Sequence, residues 1–213
     1  RNEEKGRSPL AHLLHELNQP LTGLQCSMEL AVAGPRPSDH YVRTLREGLE
    51  LVSRMRDLVE ALREVVQARE TQIGTFALFH LDSLVSEVAV ELEPIAAAES
   101  VRLIVLNSTP LPVHSHRVRV QRLVFRTLDS ILSLTRKQCE MQVATVQEED
   151  HACLMVTSTG GSSTASLSPF SRPELGLLVA QAGWEAMGAT WTLSTSGEDQ
   201  NLVIRMPVAS LSK

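Results

Sequence analysis

Apolar residues at the start of the chain fall at Leu10, Leu14, Leu17, Leu21, Leu24, Met28 and Ala31, in alternating steps of four and three. That average period of about 3.5 predicts a helix with a heptad seam. Ser8 stands where an N-cap belongs, and Pro9 suits the first helical position. The seam stops at Ala33-Gly34-Pro35-Arg36-Pro37, a run that no helix interior tolerates. Ser38 or Asp39 then caps a second helix. Its apolar positions run Leu45, Leu49, Val52, Met55, Val59, Leu62 and Val66, with Arg and Glu between. Two long amphipathic helices joined by a short loop make an antiparallel hairpin. One hairpin leaves much of its seam wet, whereas two hairpins in a four-helix bundle bury all four seams. A homodimer follows from the seam, against the plainer alternative that the seam is covered by the rest of the same chain.

The pattern changes at Gln72-Ile73-Gly74, which divides the chain into a helical hairpin (1–72) and a second domain (73–213). Beyond it, strand-like and helix-like stretches interleave. Phe76–Phe79 and Val101–Leu106 read as strands, and Leu84–Ala98 and Val118–Leu134 as helices. Met141–Val146 and Cys153–Val156 are strands, and Ser158–Ser171, rich in Ser, Thr and Gly, is a loop. Leu175–Met187 is helical. Thr190–Ser194 and Leu202–Met206 form a closing hairpin. This order predicts an α+β chain, a helical hairpin followed by an α/β sandwich.

Composition narrows this reading further. The 213 residues are 43% hydrophobic, 21% charged and only 3% aromatic, so Leu, Val and Ala carry the apolar load. A net charge of -5 offers no surface for nucleic acid. No apolar run approaches the roughly 20 residues needed to cross a bilayer. The charged start carries no signal peptide, and an Arg start points to a core excised from a longer protein. Cys26, Cys139 and Cys153 form no CxxC pair and suit reduced thiols in a cytoplasmic protein. His114 and His116 alternate on an extended stretch, with no third ligand supplied by spacing, so no metal is assigned to them. Trp184 and Trp191 read as core or interface residues.

The segment richest in chemistry is His15-Glu16-Leu17-Asn18-Gln19-Pro20-Leu21. His15 lies one step off the seam, about 100° around the helix, and is expected to face solvent. A neutral imidazole beside a carboxylate is a usable nucleophile for a phosphoryl group: Glu16 can accept a ring proton and stabilise developing positive charge. Gln19, at i+4 from His15, shares its face and could orient a water. Pro20 removes the helical partner of the Glu16 carbonyl.

His-Glu-Leu-Asn-Gln-Pro-Leu resembles the phosphoacceptor box of sensor histidine kinases, in which the His takes phosphate from ATP and passes it to an Asp of a response regulator. The resemblance implies a dimeric hairpin followed by an α/β sandwich of the histidine-kinase ATPase type. It further implies His15 as phosphoacceptor, Glu16 as acid/base partner and Gln19 as the amide tied to water positioning.

The resemblance continues through the second domain, with substitutions at the nucleotide positions. Arg126 and Ser130 stand where the family's asparagine box carries asparagines. The second of these normally holds Mg²⁺, and a Ser hydroxyl is a poorer ligand for it. Val156-Thr157-Ser158-Thr159-Gly160-Gly161 resembles the first glycine box, with Ser158 replacing the adenine-binding Asp. Losing a charge-assisted bond of that kind costs about 1.5–3 kcal/mol, roughly ten- to a hundredfold in affinity. Gly160 is kept. Ser162–Pro173 is a short ATP lid. Glu174-Leu175-Gly176-Leu177 resembles the second glycine box with Glu174 in place of its first Gly, a carboxylate where phosphates approach a helix N-terminus.

Ser130, Ser158, Gly160 and Gly176 thus mark a degenerate nucleotide pocket. No cofactor is expected, ATP with Mg²⁺ being the alternative. The favoured function is a phosphorelay in which His15 exchanges a phosphoryl group with a response-regulator receiver domain, in the cytoplasm. The alternatives are an active ATP-dependent sensor histidine kinase with an unusual pocket, and a non-enzymatic pseudokinase that dimerises as a scaffold.

Overall fold

A computed structural model of the chain describes residues 9–70, 75–106, 109–159, 171–196 and 199–207. The chain divides into two compact units, Arg1–Gln67 and Ala68–Lys213.

The first unit is a hairpin of α1 (Pro9–Val32) and α2 (Ser38–Glu70). Ser8, read as the N-cap of α1, lies outside the described residues. Tyr41 braces the turn: its hydroxyl accepts the Arg36 N–H at 3.1 Å and donates to the Gly34 carbonyl at 3.3 Å. The hairpin interior takes Leu13, Pro20, Leu58, Ala61 and Val65, none of them among the heptad positions. The heptad residues Leu14, Leu21, Met28, Leu45, Leu49, Val52, Val59 and Val66 are exposed in the single chain. The physical reason is that one helix pair offers each helix a single neighbour. The residues facing that neighbour most directly are buried, and much of the heptad stripe points away. Where α1 and α2 meet, Gly48 lets Leu24 approach so closely that an added Cβ would sit 3.2 Å from its Cδ1.

The second unit opens with β1 (Ala77–His80), α3 (Leu81–Ala98), β2 (Arg102–Val105) and β3 (Pro112–Ser115). It continues with α4 (Arg117–Leu134), β4 (Glu140–Glu148), β5 (His151–Thr159), α5 (Arg172–Glu185), β6 (Thr190–Ser196) and β7 (Asp199–Pro207). β1 and β3 pair antiparallel in a ribbon, and the other strands form a sheet ordered β2-β4-β5-β7-β6. Among the described residues only the β2–β4 pairing is parallel; the rest of the sheet is antiparallel.

The sequence reading differs from this architecture in one unanticipated strand, in the place of Ser158 and in several element bounds, α3 for example starting at Leu81 rather than Leu84. β3 was not anticipated as a strand, because its pairing with β1 is non-local. Ser158 lies inside β5 rather than opening a loop, since its backbone is held between Met141 of β4 and Gln200 of β7. α5 begins at Arg172, three residues before the first residue of its apolar run.

The core of this unit lies between the helices and one face of the sheet. Leu84, Val88 and Leu92 of α3 and Val124, Leu128 and Leu132 of α4 meet Met141, Val143, Leu154, Val156 and Ile204 from the strands. Burying each such aliphatic side chain is worth roughly 1.5–3 kcal/mol. Trp184 of α5 is fully buried among them, and its Nε1–H donates to the Thr127 Oγ1 of α4 at 3.1 Å. A buried indole keeps its packing value only if that N–H is satisfied. α4 and α5 approach closely at two glycines: a Cβ on Gly176 would overlap the Ser130 hydroxyl, and one on Gly183 would overlap Leu123.

Candidate functional site

Each unit carries candidate chemistry. In the hairpin, His15 is exposed on α1 while Glu16, the next residue, is only 7% exposed. Consecutive positions on a helix point about 100° apart, so one residue faces solvent and its neighbour turns inward. Gln19, also exposed, donates from Nε2 to Glu16 Oε1 at 3.2 Å. The amide therefore holds the carboxylate, one turn along the helix, and the imidazole stands beside this pair with no hydrogen bond among the described residues. Pro20, one residue on, is buried in the hairpin interior and leaves the Glu16 carbonyl without its usual N–H donor. The arrangement is a solvent-facing nitrogen nucleophile next to a half-sequestered, amide-oriented negative charge.

In the sandwich, the other predicted positions separate. Ser130 and Gly176 line a groove of about 870 Å³ along α4, together with Gln121, Arg122, Phe125 and Pro173. Ser158 does not line it. Its side chain is 1% exposed at the end of the inward-facing row of β5, and its Oγ has no hydrogen-bond partner among the described residues. Gly160 and most of the stretch read as an ATP lid, residues 160–170, lie outside the described residues. Gly176 serves the α4–α5 contact: the Ser130 hydroxyl occupies the space that any side chain at position 176 would need.

The N-terminus of α5 is also taken. Glu174, expected to stand as a bare carboxylate repelling phosphates, folds back onto its own helix, and its Oε2 accepts the Ser171 N–H at 2.9 Å. Pro173 in the first turn has no N–H to offer. Glu174 therefore caps the helix by the familiar N3 arrangement. The signal for this, Ser-x-x-Glu around a Pro, was present in the sequence and was read as glycine-box erosion instead.

The remaining reactive groups lie elsewhere. Burial and the neighbouring Glu148 push the Cys153 thiol up to about 11, so it is a poor nucleophile at neutral pH. The Arg205 side chain, 2.9 Å from Glu148, holds that carboxyl below its ordinary range. The rings of His114 and His116 lie 5.5 and 4.0 Å from that of Phe76. Among the described residues no three His, Cys, Asp or Glu side chains converge as metal ligands, and no helix is long and apolar enough to cross a membrane.

Residues 9–71 match the family described as the His Kinase A (phospho-acceptor) domain. Over 152 residues the chain is 22% identical to the sensor protein IrlS of Burkholderia pseudomallei strain K96243, a match covering 70% of this chain and 32% of that protein. The chain thus spans about a third of the length of this curated relative. Among solved structures, the Acinetobacter baumannii histidine kinase AdeS is similar with a TM-score of 0.57 and 19% identity, over 92% of this chain and 98% of AdeS. The histidine kinase ThkA, solved in complex with the response regulator protein TrrA, is similar with a TM-score of 0.62 and 16% identity, over 95% of this chain and 62% of that one. Full-length ShkA, solved in complex with AMPPNP, gives a TM-score of 0.60 at 16% identity, over 96% of this chain and 46% of that one. At these identities the structural likenesses establish the fold. Residues 9–71 thus match the His Kinase A (phospho-acceptor) domain, and the chain shares the fold of solved histidine kinases.

Proposed function

We propose that the chain works as a dimeric phosphorelay protein in which His15 exchanges a phosphoryl group with the aspartate of a response-regulator receiver domain, without using ATP. The observation that carries this reading is a contrast. The His15–Glu16–Gln19 constellation is assembled and its imidazole is accessible, whereas Ser130, Ser158, Glu174 and Gly176 in the sandwich are engaged in the fold.

The sandwich residues fit ATP with Mg²⁺ poorly. Ser158 supplies a buried hydroxyl, without a partner among the described residues, where the adenine amino group needs a carboxylate. Ser130 is directed at Gly176, against the helix contact rather than a metal. The first turn of α5 spends its capping interaction on Glu174 and lacks a donor at Pro173. A phosphate placed there would meet a carboxylate instead of free N–H groups.

In the relay, a ring nitrogen of His15 attacks the phosphorus of an aspartyl phosphate. The N–P bond forms as the acyl P–O bond breaks, and the aspartate carboxylate leaves. Positive charge develops on the ring, and the adjacent Glu16 carboxylate, oriented by Gln19, stabilises it or accepts the second ring proton. Return of the phosphoryl group to another receiver reverses these steps. Dimerisation rests on the exposed heptad stripe, with Leu45 and Leu49 at 65% and 69% exposure in the single chain. Receiver binding is supported by the ThkA–TrrA complex, whose kinase shares this fold.

Incubation with a receiver domain carrying labelled phosphate tests the reading. Label should move to the wild-type chain and fail to move to His15→Ala. A second reading, an ATP-dependent kinase, is favoured by the size of the α4 groove, about 870 Å³ and sufficient for a nucleotide. Saturable ATP–Mg²⁺ binding at micromolar concentration would select it.

A further inference from the structure

β2 is an edge strand: among the described residues it pairs only with β4. Its hydrogen bonds toward β4 come from alternate residues, with Arg102 and Leu106 N–H donating to the Cys139 and Val143 carbonyls at 2.9 Å. Alternation along a strand turns the N–H and C=O of Leu103 and Val105 outward, to the free edge. Leu103 and Val105 stand opposite the fully buried Met141 and Val143, so their side chains belong to the core-facing row. They nevertheless remain only half-buried. The reason is a groove of about 480 Å³ between β2 and α3. Its helical wall is built mostly from small residues, Ala89, Val90 and Ala97, beside Glu93, with Val90 69% exposed.

Three features define the occupant. Outward N–H and C=O groups on alternate residues are satisfied by extended backbone, as in strand addition to an edge. A shallow wall of alanines and Val90 beside Leu103 and Val105 accepts apolar side chains at every second position. Charge completes the description. Arg102 is already matched by Glu140 at 2.6 Å, while Glu93 is exposed and forms no ion pair among the described residues, leaving one uncompensated carboxylate. We propose that the β2–α3 groove binds an extended segment of a partner protein, apolar at alternate positions and carrying a Lys or Arg opposite Glu93, which joins the sheet as a sixth strand beside β2.

The test uses the full chain and a blocked synthetic peptide alternating valine and threonine around one lysine. Binding should slow amide exchange at Leu103 and Val105 and shift resonances along Ala89–Ala97. Glu93→Lys, on an exposed helical position, should weaken binding about fivefold, and a peptide with Glu in place of Lys should then be preferred. Val90→Arg, which fills the groove without touching the core, should weaken binding by about tenfold or more. Unchanged exchange at Leu103 and Val105, resonance shifts confined to another surface, or an affinity indifferent to both substitutions would overturn the proposal.

Discussion

The hairpin and the sandwich treat their polar side chains in opposite ways. On α1, the His15 imidazole is left facing solvent, and the neighbouring carboxylate is held by an amide one turn away. In the sandwich, the corresponding polar positions are absorbed into the fold: Ser130 fills the α4–α5 contact, Ser158 is sealed in the sheet, and Glu174 caps its own helix. The apolar residues divide in the opposite sense. The hairpin exposes a leucine and valine stripe, whereas the sandwich gathers a large aliphatic core around Trp184. A surface kept for partners and chemistry is recognisable by what it leaves unsatisfied, and a surface converted to structure by what it satisfies internally.

The largest effect that would sharpen this contrast is at the centre of the sandwich. Trp184→Ala removes a fully buried indole and strands Thr127 without its donor. It should destabilise the sandwich by about 3–5 kcal/mol in denaturant unfolding, while the helical signal of the hairpin persists. Next, Gly176→Ala should cost about 1–3 kcal/mol, because the new methyl group meets the Ser130 hydroxyl. Ser130→Gly in the same chain should recover much of the loss. If the double variant is no more stable than Gly176→Ala, the two residues are not the packing pair described.

On the hairpin side, Leu49→Glu should change stability within the chain by less than about 0.5 kcal/mol and shift sedimentation from dimer to monomer. A dimer that survives the substitution would remove the heptad stripe as its interface. The smallest effect is at Cys153, whose folded thiol titrates near 11 against an ordinary 9.0. Below pH 9 the thiol is protonated in the folded and unfolded chain alike. Between pH 9 and about 11 only the unfolded chain sheds the proton, so stability falls as pH rises through that window. Cys153→Ala should flatten this alkaline decline.

Much of this was legible in the residues, and the misses have physical causes. Local periodicity announced both hairpin helices and most of the sandwich, because amphipathic helices and alternating strands write their burial into neighbouring positions. It could not announce β3, whose partner β1 lies some thirty residues earlier in sequence and whose pairing joins Ala77 to Ser115. The heptad pattern identified the stripe left uncovered by one chain, yet Leu13 and Pro20, which line the hairpin interior, fell outside it because two faces of the same helix are apolar. At the candidate sites, His15 and its neighbours were readable because one helix fixes their mutual spacing. The fate of Ser130 was not, since its contact with Gly176 depends on how α4 meets α5. Glu174 shows a further lesson: a residue that looks like a lost glycine is also a competent cap.

The central claim is that the phosphoryl chemistry of this chain resides in the hairpin and has been separated from nucleotide use. One experiment offers the same protein two labelled donors, ATP with Mg²⁺ and a phosphorylated receiver domain, and follows acid-labile label at His15. The account predicts label from the receiver, none from ATP, and none from either donor in His15→Ala. Label arriving from ATP at a rate comparable to that from the receiver would contradict it.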